Sequence, residues 1–381
     1  MKVLAVSTPG AGHVTPLVPL IGALLKGGDD VLVASGPEAA PIIERTGARF
    51  ALAGRSQAEW MNRLATRTRG NPGDGVAAER ILHYFLPRAF AEIGVDEMVD
   101  DVLCHGQDFA PDVMVFEAFA LAGPLVAELL GVPGVAHMFG PLPPQEAVEH
   151  ANDAVSPIWR SYGRNVPGWA GMYRHLTIQI CPPMLETAQV PAGETWCLRP
   201  VPLPDRPRQV TERPVIYVTF GTLFNHNLDL FRVALEALGH EPVDVVMTVG
   251  HDQDPAELTP FPANARVEQF IPQAEVLPSA SAIVHHGGAG TTFGALAHGV
   301  PQVILPQGAD NYEHAAVCET AGTAITLRPE MLTPANLAAA VRAFVHDELY
   351  TAASRRCAEE IAAMPEATSV ATALRSWIPT A

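Results

Sequence analysis

An apolar strand, a glycine turn, a helix and a second apolar strand follow one another in the first 50 residues, and no other feature constrains the fold as much. Val3–Val6 is the first apolar run, bounded by Thr8-Pro9-Gly10-Ala11-Gly12. Leu17, Leu20, Ile21, Leu24 and Leu25 then recur at helical spacing behind Pro16, a residue suited to the first turn of a helix. Gly27-Gly28 ends that helix, and Val31–Ala34 is the second strand. A strand–helix–strand unit of this kind feeds a parallel sheet. The same order returns at Pro111–Phe116, Leu121–Leu130 and Val132–Met138.

The pattern then breaks and restarts. Pro200, Pro202, Pro204, Pro207 and Pro214 fall in a stretch without apolar periodicity, which reads as a linker. Beyond it come strands at Val215–Phe220, Val243–Val249, Ala282–His285 and Gln302–Leu305. Helices are expected at Leu228–Leu238, Thr291–Ala297, Tyr312–Thr320, Pro334–His346 and Leu349–Met364. With 381 residues, and roughly 150 per domain, the chain makes two α/β domains, 1–206 and 207–381. Two such domains leave a cleft, and open α/β sheets bind ligands at the carboxyl ends of their strands.

Composition narrows the partners. The formal charge of −17 disfavours nucleic acid and anionic membrane surfaces, both of which would be repelled. Hydrophobic residues make up 48% and charged ones 17%, enough for two buried cores and too apolar for global disorder. Cys104, Cys181, Cys197, Cys318 and Cys357 fit no zinc pattern and no disulfide framework, so reduced thiols in the cytoplasm are expected. The first apolar run stops at Val6, short of the about 7–15 residues of a secretory core, and nothing approaches the about 18 needed to span a membrane.

The strongest local signal is His285-His286-Gly287-Gly288-Ala289-Gly290-Thr291-Thr292, between a strand and a helix. Glycines let backbone amides approach a ligand, and a helix N-terminus offers unpaired N–H groups and partial positive charge. With Thr291 and Thr292 as hydroxyl donors and His286 as a ring donor, the segment suits a diphosphate. It lacks Gly-Lys-Ser/Thr, and Phe293 stands where a dinucleotide fingerprint needs its third glycine.

At the other glycine loop, Gly10-Ala11-Gly12-His13-Val14-Thr15, Thr15 replaces the third glycine and Ser35-Gly36-Pro37 replaces the acid that would hold a ribose. His13 at the mouth of a sheet is instead a candidate general base. Glu117 follows the strand Val113–Phe116 and could fix the imidazole tautomer. Asp252-Gln253-Asp254 has the spacing of a metal-binding acid pair, but Pro255 follows at once, and no metal is expected.

Taken together, Pro9–Pro16, Phe220-Gly221-Thr222, and the run from Phe270-Ile271-Pro272-Gln273 through His286 and Gly299-Val300-Pro301 to Asp310-Asn311 resemble the family 1 glycosyltransferases. The acidic, Ala- and Pro-rich style is most similar to bacterial enzymes that glycosylate polyketides and other antibiotics. The resemblance covers most of the chain and implies the GT-B architecture, two Rossmann-like domains facing across a cleft. The first domain would bind the acceptor and the second the nucleotide sugar, with the last helix packing back on the first domain.

Position by position, the resemblance makes His13 the base and Glu117 its partner, where the family usually has Asp. Gly221, Thr222, His286, Gly288, Gly290 and Thr291 would hold the diphosphate. Phe270 would stack on the pyrimidine, Ile271 would bond the base edge, and Asp310 and Asn311 would contact the sugar. Gly294 stands where many relatives have a Glu on the ribose hydroxyls, which is compatible with the deoxyribose of a dTDP donor; the resemblance implies a dTDP-linked deoxysugar as co-substrate, with no separate cofactor. Asn311 for the usual Gln and His314 for a frequent Asn are further departures.

The implied reaction is metal-independent displacement with inversion at the anomeric carbon. His137, Met138, Phe139, Trp159 and Trp169, read as aromatic and Met side chains on loops, are the candidate surface for a hydrophobic acceptor. Arg63, Arg67 and Arg69 are expected on a mobile loop over it. The competing readings are a nucleotide-sugar epimerase, a transferase for a lipid-linked acceptor, a non-catalytic nucleotide-sugar-binding partner and a nicotinamide oxidoreductase. A cytoplasmic monomer or loose homodimer is expected.

Overall fold

The computed structural model describes residues 1–68, 72–186, 188–205, 208–221 and 225–378. It divides into two compact units. The first holds Met1–Cys181, Ala188–Arg199 and the terminal segment from Pro365; the second holds Pro200–Met364 with a short insert from Pro182. The residues on either side of the expected 206/207 boundary lie outside the described set.

Among the described residues, the first unit carries a parallel sheet of β1 (Lys2–Val6), β2 (Asp30–Ser35), β3 (Arg49–Leu52), β4 (Val113–Glu117), β5 (Gly134–His137), β6 (Leu176–Gln179) and β7 (Glu194–Cys197). Its order is β3-β2-β1-β4-β5-β6-β7, so the chain reverses direction across the sheet at β1 and β4. Val3–Val6 pairs with Val113–Phe116, and both strands are buried apart from Lys2. That pairing carries the segments following Val6 and Phe116 to one sheet edge, the topological position at which such folds bind ligands.

The glycine turn after β1 is tighter than a loop. Gly10 has φ 118°, a conformation closed to most L-residues, and the chain turns there directly into the helix Ala11–Val14. His13 therefore rides on a helical turn. The helix Val18–Lys26 continues the run and buries Leu20, Ile21 and Leu24. The terminal helix Ala367–Trp377 packs on it, and Arg375 donates to both carboxylate oxygens of Asp29, which also holds the Met1 ammonium at 3.0 Å.

The second unit has, among its described residues, β8 (Val215–Thr219), β9 (Asp244–Thr248), β10 (Ala265–Glu268), β11 (Ala280–His285), β12 (Gln302–Ile304) and β13 (Ala324–Thr326). All pair in parallel in the order β10-β9-β8-β11-β12-β13. The reversal at β8 and β11 places Gly221 and His286 together. Among the described residues, no helix is long and apolar enough to cross a membrane.

Two expectations need correction. The stretch 137–173 is not a set of loops: Gln145–Ser161 is a helix whose Val148, Ala151, Val155 and Trp159 form one buried stripe. Arg63 and Arg67 lie on the helix Gln57–Thr68, not on a loop. Arg63 pairs with Glu97 and Asp96, and Arg67 with Glu92, so their charge is taken up by neighbouring acids. Arg69, with Gly70 and Asn71, lies outside the described residues.

Candidate active site

The first unit brings His13 and Glu117 together. Nδ1 of His13 stands 3.3 Å from Oε1 of Glu117, whose side chain is fully buried. Oε1 also accepts from the Thr8 N–H (3.2 Å) and hydroxyl (2.6 Å), and Oε2 accepts from the Phe119 N–H (2.8 Å). Burial pushes the Glu117 carboxyl up, but His13, Thr8 and the Phe119 amide outweigh it, and the group is held below its ordinary value. A carboxylate fixed in this way favours the tautomer with the proton on Nδ1 and leaves Nε2 as the basic nitrogen.

Sequence reasoning missed two of the residues around His13. Its ring lies 5.0 Å from Phe139, 5.4 Å from Phe90 and 6.2 Å from Phe119. Phe119 and Phe139 meet edge to face at 4.8 Å. Of the proposed acceptor residues, Phe139 thus touches the site. Trp159 and Met138 belong instead to the core. Trp169 is half-buried in a short turn, 6.3 Å from Tyr173. His137 pairs in register with Glu117 across β4 and β5, and it is fully buried. Burial holds its imidazole down at about 4, so it is neutral at physiological pH.

In the second unit the two adjacent histidines do different work. His285 is in the core: its Nδ1 accepts from the Gly287 N–H at 3.1 Å, which leaves Nε2–H for the Gln302 side-chain oxygen at 2.8 Å. His286 is packed between glycines. A Cβ on Gly221 would sit 2.6 Å from its Cε1, and one on Gly288 would sit 2.5 Å from its Nε2. Burial pushes His286 down to about 4, against the opposing pull of Asp310, so its ring is neutral at physiological pH. The helix Ala289–Ala297 opens directly after Gly288. A Cβ on Gly290 would meet nothing within 4 Å, so protein packing alone does not require glycine there.

The other candidate donor residues lie around this cradle. Thr291 accepts a hydrogen bond from the Gln273 amide at 2.9 Å. Phe270 is 55% exposed and its ring stacks on His251 at 4.5 Å, while Ile271, next in the chain, is half-buried against the core around Tyr217 and Ile283. Asp310 precedes the helix Asn311–Thr320, and its carboxylate lies 3.4 Å from Nε2 of His314. Asn311 is buried and its side-chain oxygen accepts from the Gln307 N–H at 3.3 Å, which leaves its amide hydrogens to offer. Thr222 lies outside the described residues. Asp254 caps a short helix by accepting from the Ala256 N–H at 2.9 Å. Among the described residues no group of three or more His, Cys, Asp or Glu side chains is arranged to hold a metal ion.

An L-demethylnoviosyl transferase from Streptomyces niveus is 31% identical to this chain over 385 residues, covering 98% of this chain and 97% of its own. The chain belongs to the natural-product glycosyltransferases of the GT-B fold. Residues 232–376 match the family described as erythromycin biosynthesis protein CIII-like, C-terminal domain. The elloramycin glycosyltransferase ElmGT of Streptomyces olivaceus is 30% identical, covering 99% of this chain and 97% of its own. The crystal structure of the glycosyltransferase SsfS6 of Streptomyces sp. SF2575, complexed with thymidine diphosphate, superposes with a TM-score of 0.78 at 28% identity, covering 99% of both chains.

For this glycosyltransferase, Phe90 and Phe119 were the residues that the sequence hid. Phe119 follows Glu117 by two positions and could have been found from that spacing. Phe90 carries no signal of its own, because a distant helix brings it to His13.

Proposed function

We propose that this glycosyltransferase moves a deoxysugar from a dTDP-linked donor to a hydroxyl of a hydrophobic acceptor, with inversion and without a metal ion. The observation that carries the reading is the approach of His13 Nδ1 to the buried Glu117 carboxylate. The acceptor O–H gives its proton to His13 Nε2 as its oxygen forms the new bond to the anomeric carbon. The bond from that carbon to the diphosphate breaks, and its electrons leave with the diphosphate oxygen. Glu117 stabilises the imidazolium that forms.

The charge gathering on the leaving group is met by the N-terminus of the helix Ala289–Ala297 and by His286. These supply the electrostatic help that a metal ion gives elsewhere. Support for the donor comes from Gly294, which offers no carboxylate to a ribose hydroxyl pair; a deoxyribose has one hydroxyl fewer to satisfy. The thymidine diphosphate bound by SsfS6 agrees with that reading.

Thermal shift with dTDP and UDP tests the donor. A ligand at 100 times its dissociation constant stabilises a fold by ~2.7 kcal/mol. A larger shift with dTDP is expected, and a larger shift with UDP overturns the donor assignment. Turnover that is abolished by EDTA and restored by Mg²⁺ would exclude the metal-free mechanism. A product with the anomeric configuration of the donor would exclude inversion.

A further inference from the structure

His13 is walled by phenylalanine. Phe139, Phe90 and Phe119 surround its ring at 5.0, 5.4 and 6.2 Å, and Phe90 lies 5.1 Å from Phe119. Phe119 and Phe139 are buried and form a floor, whereas Phe90 is half-buried and forms a wall. Phe90 reaches this place through an unusual backbone. Leu86–Gly94 is a π-helical segment of 9 residues, joined to ordinary helix on both sides. Such segments are rare, usually a single turn, and frequent at functional sites. Here Leu86, Ala89 and Ile93 stay in the core while Phe90 turns to His13. Gly94 ends the segment under the Trp60 ring, where a Cβ would meet Cη2 at 2.8 Å.

We propose that Phe90, Phe119 and Phe139 form an acceptor-selecting box, and that the hydroxyl presented to His13 is borne by a flat aromatic ring. This inference rests on the assignment of His13 as the base under Proposed function. Two physical arguments carry it. Aromatic pairs in edge-to-face or offset contact gain about 2- to 12-fold in affinity per pair beyond the area they bury, and a saturated ring of the same size forgoes that gain. An aryl hydroxyl also ionises near pH ~10, as tyrosine does, whereas water ionises near ~15.7 and alkyl hydroxyls resemble it. An imidazole base is far better matched to the aryl group than to an alkyl hydroxyl.

The test compares 2-naphthol with 2-decalol, which share a ten-carbon skeleton and one hydroxyl and differ in aromaticity. Binding to the full-length protein is measured by calorimetry, and dTDP stabilisation is recorded in parallel. The wild type is expected to bind 2-naphthol at least ~10-fold more tightly, and Phe90→Leu to narrow that gap to ~3-fold or less. Phe90→Met fills the same space without a ring and carries the comparison should the leucine variant not fold. Equal or tighter binding of 2-decalol overturns the proposal, as does a gap unchanged by loss of the Phe90 ring. A dTDP response without naphthol preference sinks the box alone. Naphthol preference without a dTDP response supports the box and sinks the donor assignment.

Discussion

Oε1 of Glu117 lies 3.3 Å from Nδ1 of His13 while accepting two hydrogen bonds from Thr8. The carboxylate is therefore placed by β1 and β4 before any substrate arrives. Glu117→Gln keeps the shape and removes the charge that stabilises the imidazolium. The amide also brings donors to a site that faces three N–H or O–H groups, so a stability cost of about 1–3 kcal/mol is expected. Turnover should fall by about 10²–10⁴-fold. The donor KM should hardly change, because the candidate diphosphate cradle belongs to the second unit. Steady-state kinetics with varied donor separates the two, and a mutant affected only in donor KM would disprove the pairing role.

His13→Ala removes the proposed base. A positioned general base contributes about 10²–10⁴-fold, and that loss is expected in kcat. Affinity for dTDP, read by calorimetry, should be retained. Full turnover in this variant would remove His13 from the mechanism and, with it, the reason for Glu117 to be buried.

Both partners of this pair were legible in the sequence because each follows a continuous apolar strand. Val3–Val6 and Val113–Phe116 are buried on both faces, so they read as unbroken runs, and a residue just beyond such a run lies at the sheet's carboxyl edge. The edge strands did not announce themselves. Arg49–Leu52, Glu194–Cys197 and Ala265–Glu268 are half-exposed and mix charge with apolar residues. Buried β6 was hidden by Thr177 and Gln179. The helix Gln145–Ser161 was obscured by Pro157 and its acidic face, although its apolar stripe is spaced for a helix. The box around His13 depends on a π-helical offset and on packing between elements distant in sequence, neither of which has a local pattern.

Gly221 and Gly288 clasp the His286 ring, and an added methyl at either place collides with it. Gly221→Ala suffers twice, since the residue has φ +69° as well as a Cβ 2.6 Å from His286 Cε1. It should cost about 1–3 kcal/mol in stability through backbone strain. It should also raise the donor KM by displacing His286. Gly288→Ala meets only the steric clash, because its φ of −65° is open to alanine. Its effect should appear in donor KM with a smaller change in melting temperature. Equal destabilisation by the two substitutions would argue against this division.

The Phe270 ring is covered on one side by His251, in a stacked arrangement at 4.5 Å and 25°. His251 thus holds the platform on which a pyrimidine would lie. Base stacking on an aromatic ring is worth about 1–3 kcal/mol. Loss of the support should forfeit a part of that, a rise of roughly 2- to 10-fold in donor KM for His251→Ala with kcat retained. His251→Phe should restore it, and failure of that rescue would show that stacking is not what His251 supplies.

The stability of the fold should be lost in acid well above the carboxylate range. His137, His285 and His286 are held at about 4, 3 and 4 by burial, which disfavours their charged forms. In the unfolded chain an imidazole titrates near ~6.5. Between those values the unfolded chain binds more protons, so stability rises with pH in that window. The contribution is complete above ~6.5 and falls away toward pH 4, at a rate of about 2 kcal/mol per imidazole by pH 5. Glu117 and Asp29, whose folded values are lowered, act in a separate window, since their contribution is lost only as pH falls below the ordinary carboxyl values of 4.5 and 3.8. Urea unfolding between pH 7.5 and 5 should therefore show a falling midpoint. Two of the three histidines belong to the second unit, so that unit should respond more steeply. His285→Gln can still donate to Gln302 without titrating, and it should flatten the slope. A midpoint constant from pH 7.5 to 5 would mean that these imidazoles are hydrated in the folded protein.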